Sequence, residues 1–138
     1  MYLVDTDVVS ELRKGPKADA KVLQFFADAD KNNQALYLSV VTIGELRRGV
    51  EIIRHRGDTR QASRLEGWLE PLLEEFSDHI LEFGREEAQV WGRLRVPHPE
   101  NAIDKLIAAT AFTHGLVLVT RHSEHFSKLG LTVLNPFQ

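Results

Sequence analysis

The sequence predicts an α/β fold with a largely parallel central sheet. Three observations carry this. The runs Ala35–Val41 and Leu116–Thr120 are too continuously apolar for strands that face water on one side. Between the apolar runs lie segments whose apolar residues recur at helical spacing. The two kinds alternate along the chain, as they do when strands are joined by crossover helices.

The first strand is Met1–Val4, and it stops at Asp5. A helix follows over Thr6–Lys14, with Val8, Val9 and Leu12 on one face; Gly15 suits its C-terminal turn and Pro16 stops it. A second helix covers Lys17–Asp30, with Val22, Phe25, Phe26 and Ala29 as its stripe. After the strand Ala35–Val41 another helix opens at Thr42, where Thr42 and Glu45 match a capping box. Gly57-Asp58 ends it. A helix over Thr59–Phe76 turns Leu65, Trp68, Leu69, Leu72, Leu73 and Phe76 inward, with a kink or break expected at Pro71. Ile80–Phe83 is a short strand, and Arg85–Arg95 is a helix carrying Ala88, Trp91 and Leu94 on one side. Pro99 suits the first turn of the next helix, which runs to His114 before Gly115. Leu116–Thr120 is a buried strand, Arg121–Lys128 a loop or short helix, and Leu131–Leu134 a last strand. No repeat, low-complexity run or linker divides residues 1–138, so a single domain is expected.

With 138 residues the chain can bury a sizeable core, and 43% hydrophobic with 27% charged residues is ordinary for a globular protein. A net charge of −3 does not mark a nucleic-acid binder, so any such role rests on a local basic face. The absence of cysteine excludes disulfides and thiolate metal sites. No apolar run approaches the roughly 18 residues of a membrane span, and no signal peptide is visible. The expectation is a cytoplasmic protein with no membrane role.

Three acids occupy equivalent places. Asp5 ends a strand, where ligands of open α/β sheets gather, although Asp and Thr here also suit a helix cap. Glu45 lies one turn into a helix and is either the capping partner of Thr42 or a ligand. Asp104 interrupts the run Ala102–Ala109 on a helix expected to be well buried, where a carboxylate is costly unless paired or bound to metal. Converging carboxylates repel, and a hard divalent cation, Mg²⁺ or Mn²⁺, is the natural compensation. Such an ion binds phosphate oxygens and activates water. No glycine-rich phosphate loop competes. The six histidines lack a zinc spacing; His122 and His125 are three apart without an evident third ligand.

The stretches VDTDVVSELRKG, LYLSVVTIGELRRGV and IDKLIAATAFTHGLVLVTR, with the terminal NPFQ, resemble PIN-domain ribonuclease toxins of the VapC family, nearest the FitB-like branch. The resemblance implies a three-layer α/β/α sandwich and Mg²⁺- or Mn²⁺-dependent RNA cleavage. It also implies a homodimer that assembles with a VapB-like antitoxin. Its acidic ligands fall on Asp5, Glu45 and Asp104, and Thr6 would contact substrate or metal-bound water. Two positions depart from the family pattern. Asp7 stands where Asn or Ser is common. The fourth acidic position, usually Asn or Asp just after the Thr120-Arg121 pair with another Asp three residues later, is replaced by His122 and His125, which leaves Glu124 as the nearby acid.

The basic residues Arg47, Arg48, Arg54, Arg56, Arg60 and Arg64 make either a solvated charged face or a surface for RNA or antitoxin; Arg47 and Arg48 flank Glu45. The expected function is a metal-dependent endoribonuclease. Its rivals are a PIN-fold binding module weakened in catalysis by the altered fourth position, and a hydrolase of small phosphate esters.

Overall fold

The computed structural model describes residues 1–138. Five strands, β1 (Tyr2–Val4), β2 (Leu36–Ser39), β3 (Ile80–Leu81), β4 (Val117–Val119) and β5 (Val133–Leu134), lie in the order β3-β2-β1-β4-β5, and every pairing is parallel. The helices are α1 (Thr6–Glu11), α2 (Ala20–Lys31), α3 (Val40–His55), α4 (Thr59–Glu75), α5 (Arg85–Leu94) and α6 (Ala102–His114). From the central strand β1 the chain moves outward through β2 to β3, then returns to the other side for β4 and β5. The order reverses between β1 and β4, which opens a crevice at their carboxyl ends.

Alternation along the strands makes the three layers. On β1, Leu3 packs with Leu118, Ile107, Ala108, Ala111 and Phe126, on the α6 side. Its neighbour Val4 packs with Val119, Val8, Val22, Leu46 and Leu69, on the side of α1 to α4. Successive strand residues point to opposite faces, so both faces are covered and the strands read as unbroken apolar runs. No helix is long and apolar enough to cross a membrane.

Several boundaries differ from expectation. The helix expected at Thr42 begins at Val40, because Ser39 at the end of β2 caps it by accepting a 3.0 Å hydrogen bond from Val41 N–H. Thr42 is therefore inside α3, and the Thr42–Glu45 capping box does not form. Helix α1 stops at Glu11 and continues as a 3₁₀ turn over Leu12–Lys17, where Gly15 takes φ +57. Buried Glu11 closes that turn, accepting from Asp19 N–H at 2.8 Å and pairing with Lys14 Nζ at 2.9 Å. Helix α4 runs unbroken through Pro71. Both Pro71 and Gly67, whose carbonyl loses its partner, are exposed, so the missing bond falls where solvent can satisfy that carbonyl. Helix α6 starts at Ala102, not Pro99; Asn101 precedes it in a left-handed conformation, φ +57. The buried charge on α6 is Lys105, whose ammonium donates to the His98 carbonyl.

Asp19 caps α2 by accepting from the N–H groups of Lys21 and Val22, at 2.8 and 3.3 Å. Asp19→Ala is expected to lower stability by about 1 kcal/mol. The urea midpoint should fall while the slope of the transition stays unchanged.

Candidate metal centre at the carboxyl edge of the sheet

Four elements bring acids to the crevice. Asp5 follows β1, Glu45 lies in the second turn of α3 after β2, and the Thr120–His125 segment follows β4. Helix α6 delivers Asp104 from the opposite direction. Its C-terminus feeds the start of β4, so its N-terminus lies at the carboxyl edge. Asp104 shares a helix face with Ala108 and Ala111, one and two turns on, both fully buried. It therefore sits at the mouth of the buried stripe, 31% exposed, and not inside it.

Asp5 is held on both oxygens. Oδ1 accepts from Thr6 N–H at 2.8 Å, and buried Oδ2 accepts from the Thr120 hydroxyl at 2.7 Å. Its own N–H donates to the Val119 carbonyl at 2.8 Å, which locks the end of β1 to β4. The Thr6 hydroxyl donates to Glu45 Oε1 at 2.8 Å and lies 3.1 Å from the Thr42 hydroxyl. Thr6 thus joins Asp5 to Glu45, and Glu45 is bound across the crevice and not to its own helix end. Asp104 Oδ2 accepts from His125 Nδ1 at 3.0 Å.

Asp7 adds a fourth carboxylate. Its Oδ2 accepts from Arg121 N–H at 3.3 Å and lies 3.5 Å from His122 Nε2. Its Oδ1 is buried with no partner. Burial, then Asp7 and Asp104, push the Asp5 carboxyl up from 3.8 to about 7, against the lowering effect of its hydrogen bonds. Burial also raises Asp7, offset by His122. Of these acids Asp5 is buried, Asp104 lies at the rim and Glu45 is exposed. Their ligand oxygens do not all fall within 4.8 Å of one another. The raised Asp5 carboxyl and the unpartnered Asp7 Oδ1 are the two features that a hard divalent cation would relieve.

Beside Glu45 a groove of about 250 Å³ opens, lined by Thr6, Ser10, Arg13, Glu45 and Trp68 among others. The largest cavity, about 600 Å³ between Leu12, Phe26 and Phe76, contains none of the clustered acids. Arg47 is turned to α4, where it pairs with Glu66 at 2.6 Å and Glu70 at 2.5 Å. Arg54 pairs with Glu51 and Glu66. Much of the expected basic face is thus an ion-pair ladder between α3 and α4, while Arg48 remains exposed.

A PIN-domain family model matches residues 2–130. The chain belongs to the PIN-domain family. It is 33% identical to VapC ribonuclease Y4jK of Sinorhizobium fredii, over 100% of this chain and 99% of the relative. It is 32% identical to toxin FitB of Neisseria gonorrhoeae, over 99% of both chains. The solved structure of FitAB bound to an IR36 DNA fragment superposes with a TM-score of 0.81 at 28% identity, covering 100% of this chain and 96% of that one. The likeness expected from the separate motifs therefore extends along the whole PIN chain.

Three features of this PIN site escaped the sequence. Thr120 secures Asp5 from 115 residues away. The terminal segment braces the loop after β4: Asn135 Nδ2 donates to the Arg121 carbonyl at 3.1 Å, and the Arg121 guanidinium lies 3.7 Å from the Phe137 ring centre. His122 and His125 do have a third ligand-bearing neighbour, Glu124, which stands between them in the chain. The pattern His-x-Glu-His was visible, but a 3₁₀ turn over Ser123–His125 is what brings the three side chains together.

Proposed function

We propose that residues 1–138 form a single PIN domain that acts as a divalent-metal-dependent endoribonuclease, the toxin of a toxin–antitoxin pair. The observation that carries this is the placement of Asp5, Glu45 and Asp104 at one sheet edge, where burial, Asp7 and Asp104 push the Asp5 carboxyl up to about 7 and one oxygen of Asp7 has no partner. The relatives named as a VapC ribonuclease and toxin FitB support the activity, and the FitAB complex supports an antitoxin partner, with which a homodimer of this chain would assemble. Asp5 and Asp104 would hold Mg²⁺ or Mn²⁺, and Glu45 would position the attacking water. The bound ion would supply Lewis acidity toward the phosphodiester and lower the pKa of a bound water. The Thr120 hydroxyl holds Asp5 in place, and Thr6 holds Glu45 through its hydroxyl. Arg48 is the exposed cation one residue past Arg47 that remains free for RNA or antitoxin phosphate and carboxylate groups.

The test is cleavage of RNA by the purified chain with Mg²⁺ or Mn²⁺, alongside a mononucleotide ester. Metal-dependent cleavage of RNA and not of the ester is expected. Cleavage undiminished by excess EDTA would sink the reading. His122, in place of an acid, favours the rival binding module. That rival predicts RNA binding without cleavage at any metal concentration.

Glu45→Gln is expected to reduce cleavage by roughly 10² or more, the scale of losing a general base. The melting temperature should hold, because the Gln carbonyl still accepts from Thr6 and no cap is lost. A fall in stability with activity intact would assign Glu45 a structural role only.

A further inference from the structure

Beside the carboxylate cluster, the loop after β4 carries a second group of a different chemistry. His122 Nδ1 lies 3.6 Å and His125 Nε2 3.8 Å from Glu124 Oε1. One ligand atom from each of the three residues falls within 4.8 Å of the others. Ligands about 2.0–2.2 Å from a tetrahedral zinc lie roughly 3.3–3.6 Å apart. The two edges to Glu124 are within a few tenths of an ångström of that spacing, and the edge between the histidines lies within 4.8 Å, so closing the triangle needs one imidazole to turn out of the stack. The imidazoles stack at 5.0 Å with 9° between their planes, and both are partly exposed, so they are free to tilt toward a shared ion.

The opposite ring nitrogens decide what the group is for. His125 Nδ1 donates to Asp104, and His122 Nε2 faces Asp7 at 3.5 Å. Each histidine thus presents one nitrogen to Glu124 and the other to a carboxylate. A carboxylate behind a histidine fixes its tautomer and raises its basicity as a metal ligand. Two imidazoles with one carboxylate suit zinc, whereas Mg²⁺ prefers oxygen alone. We propose that His122, Glu124 and His125 form a zinc site on the rim of the crevice, adjoining the acids Asp5, Glu45 and Asp104 through the His125–Asp104 hydrogen bond but built from different ligand atoms. An open fourth position would be taken by water. A zinc ion there would fasten the loop after β4 against α1 and α6 through Asp7 and Asp104.

This site stands apart from the nuclease reading, and its test does not use RNA. ZnCl₂ is titrated into the metal-free chain with Mg²⁺ in large excess, and zinc binding is measured by calorimetry. The wild type and Asp5→Asn should each bind one zinc per chain. His122→Ala and Glu124→Gln, both at exposed positions, should bind it at least tenfold more weakly, the scale at which lost metal-site groups are felt. Absence of zinc binding by the wild type overturns the proposal. So does equal affinity in the wild type and His122→Ala. Loss of zinc in Asp5→Asn with retention in Glu124→Gln also overturns it, by placing zinc in the acid cluster.

Discussion

Asp5→Asn is expected to raise the melting temperature of the metal-free protein at pH 8 by several degrees while abolishing RNA cleavage. Burial first, and then Asp7, lift the Asp5 carboxyl from 3.8 to about 7. At about 1.4 kcal/mol per factor of ten, ionising it in the folded chain costs about 4 kcal/mol. The proton is bound by the folded chain and released by the unfolded one between pH 4 and pH 7. This group's contribution is therefore fully favourable below pH 3.8, declines as pH rises, and is lost above about 7. Asparagine is neutral throughout and keeps the oxygen that accepts from Thr6 N–H. The gain should be near zero at pH 4 and largest at pH 8, measured by thermal melts in EDTA. An equal gain at both pH values would show that ionisation of Asp5 is not its source. The same linkage sets metal binding: a proton on Asp5 competes with the cation, so Mg²⁺ affinity should weaken as pH drops below about 7.

Asp104→Asn is the second large effect. RNA cleavage should fall below detection, and Mg²⁺, expected to raise the melting temperature of the wild type through mass action, should not raise that of the variant. Without metal, the variant should melt at the same temperature as wild type or higher. One source of repulsion on Asp5 disappears, and the amide oxygen introduced by the substitution can still accept from His125 Nδ1. A clear loss of stability in EDTA would make Asp104 a structural partner of His125.

The parts of this site readable in the sequence were those with local signatures. Asp5 ends an apolar run, and Asp104 interrupts one; either pattern needs only a few neighbouring residues. Glu45 turned on a boundary. Ser39 and Thr42 are both good caps, and only the packed structure shows that the helix starts at Val40, which frees Glu45 to meet Thr6. Arg47 looked free because nothing in the sequence says that α4 lies beside α3 with Glu66 and Glu70 facing it. Asp104, expected in a buried run, lies at the rim while its neighbour Lys105 is the buried charge, for a similar reason. The helix period defines a face, but where the rim of the core falls along that face depends on the sheet beneath it. The strand order β3-β2-β1-β4-β5 is equally non-local, and it decides which loops meet.

The position of β1 between β2 and β4 has a consequence for synthesis. The strand made first is paired on one side by β2, but its other edge stays open until β4 emerges, and the Asp5–Thr120 hydrogen bond joins residues 115 apart. At the elongation rate of about 5–20 residues per second, that gap is on the order of 10 s. During this interval the nascent chain holds Asp5 and Glu45 but neither Thr120 nor Asp104 in place. Any fragment released before Thr120 lacks the hydroxyl that holds Asp5, so truncated products of this chain are expected to be inert as nucleases.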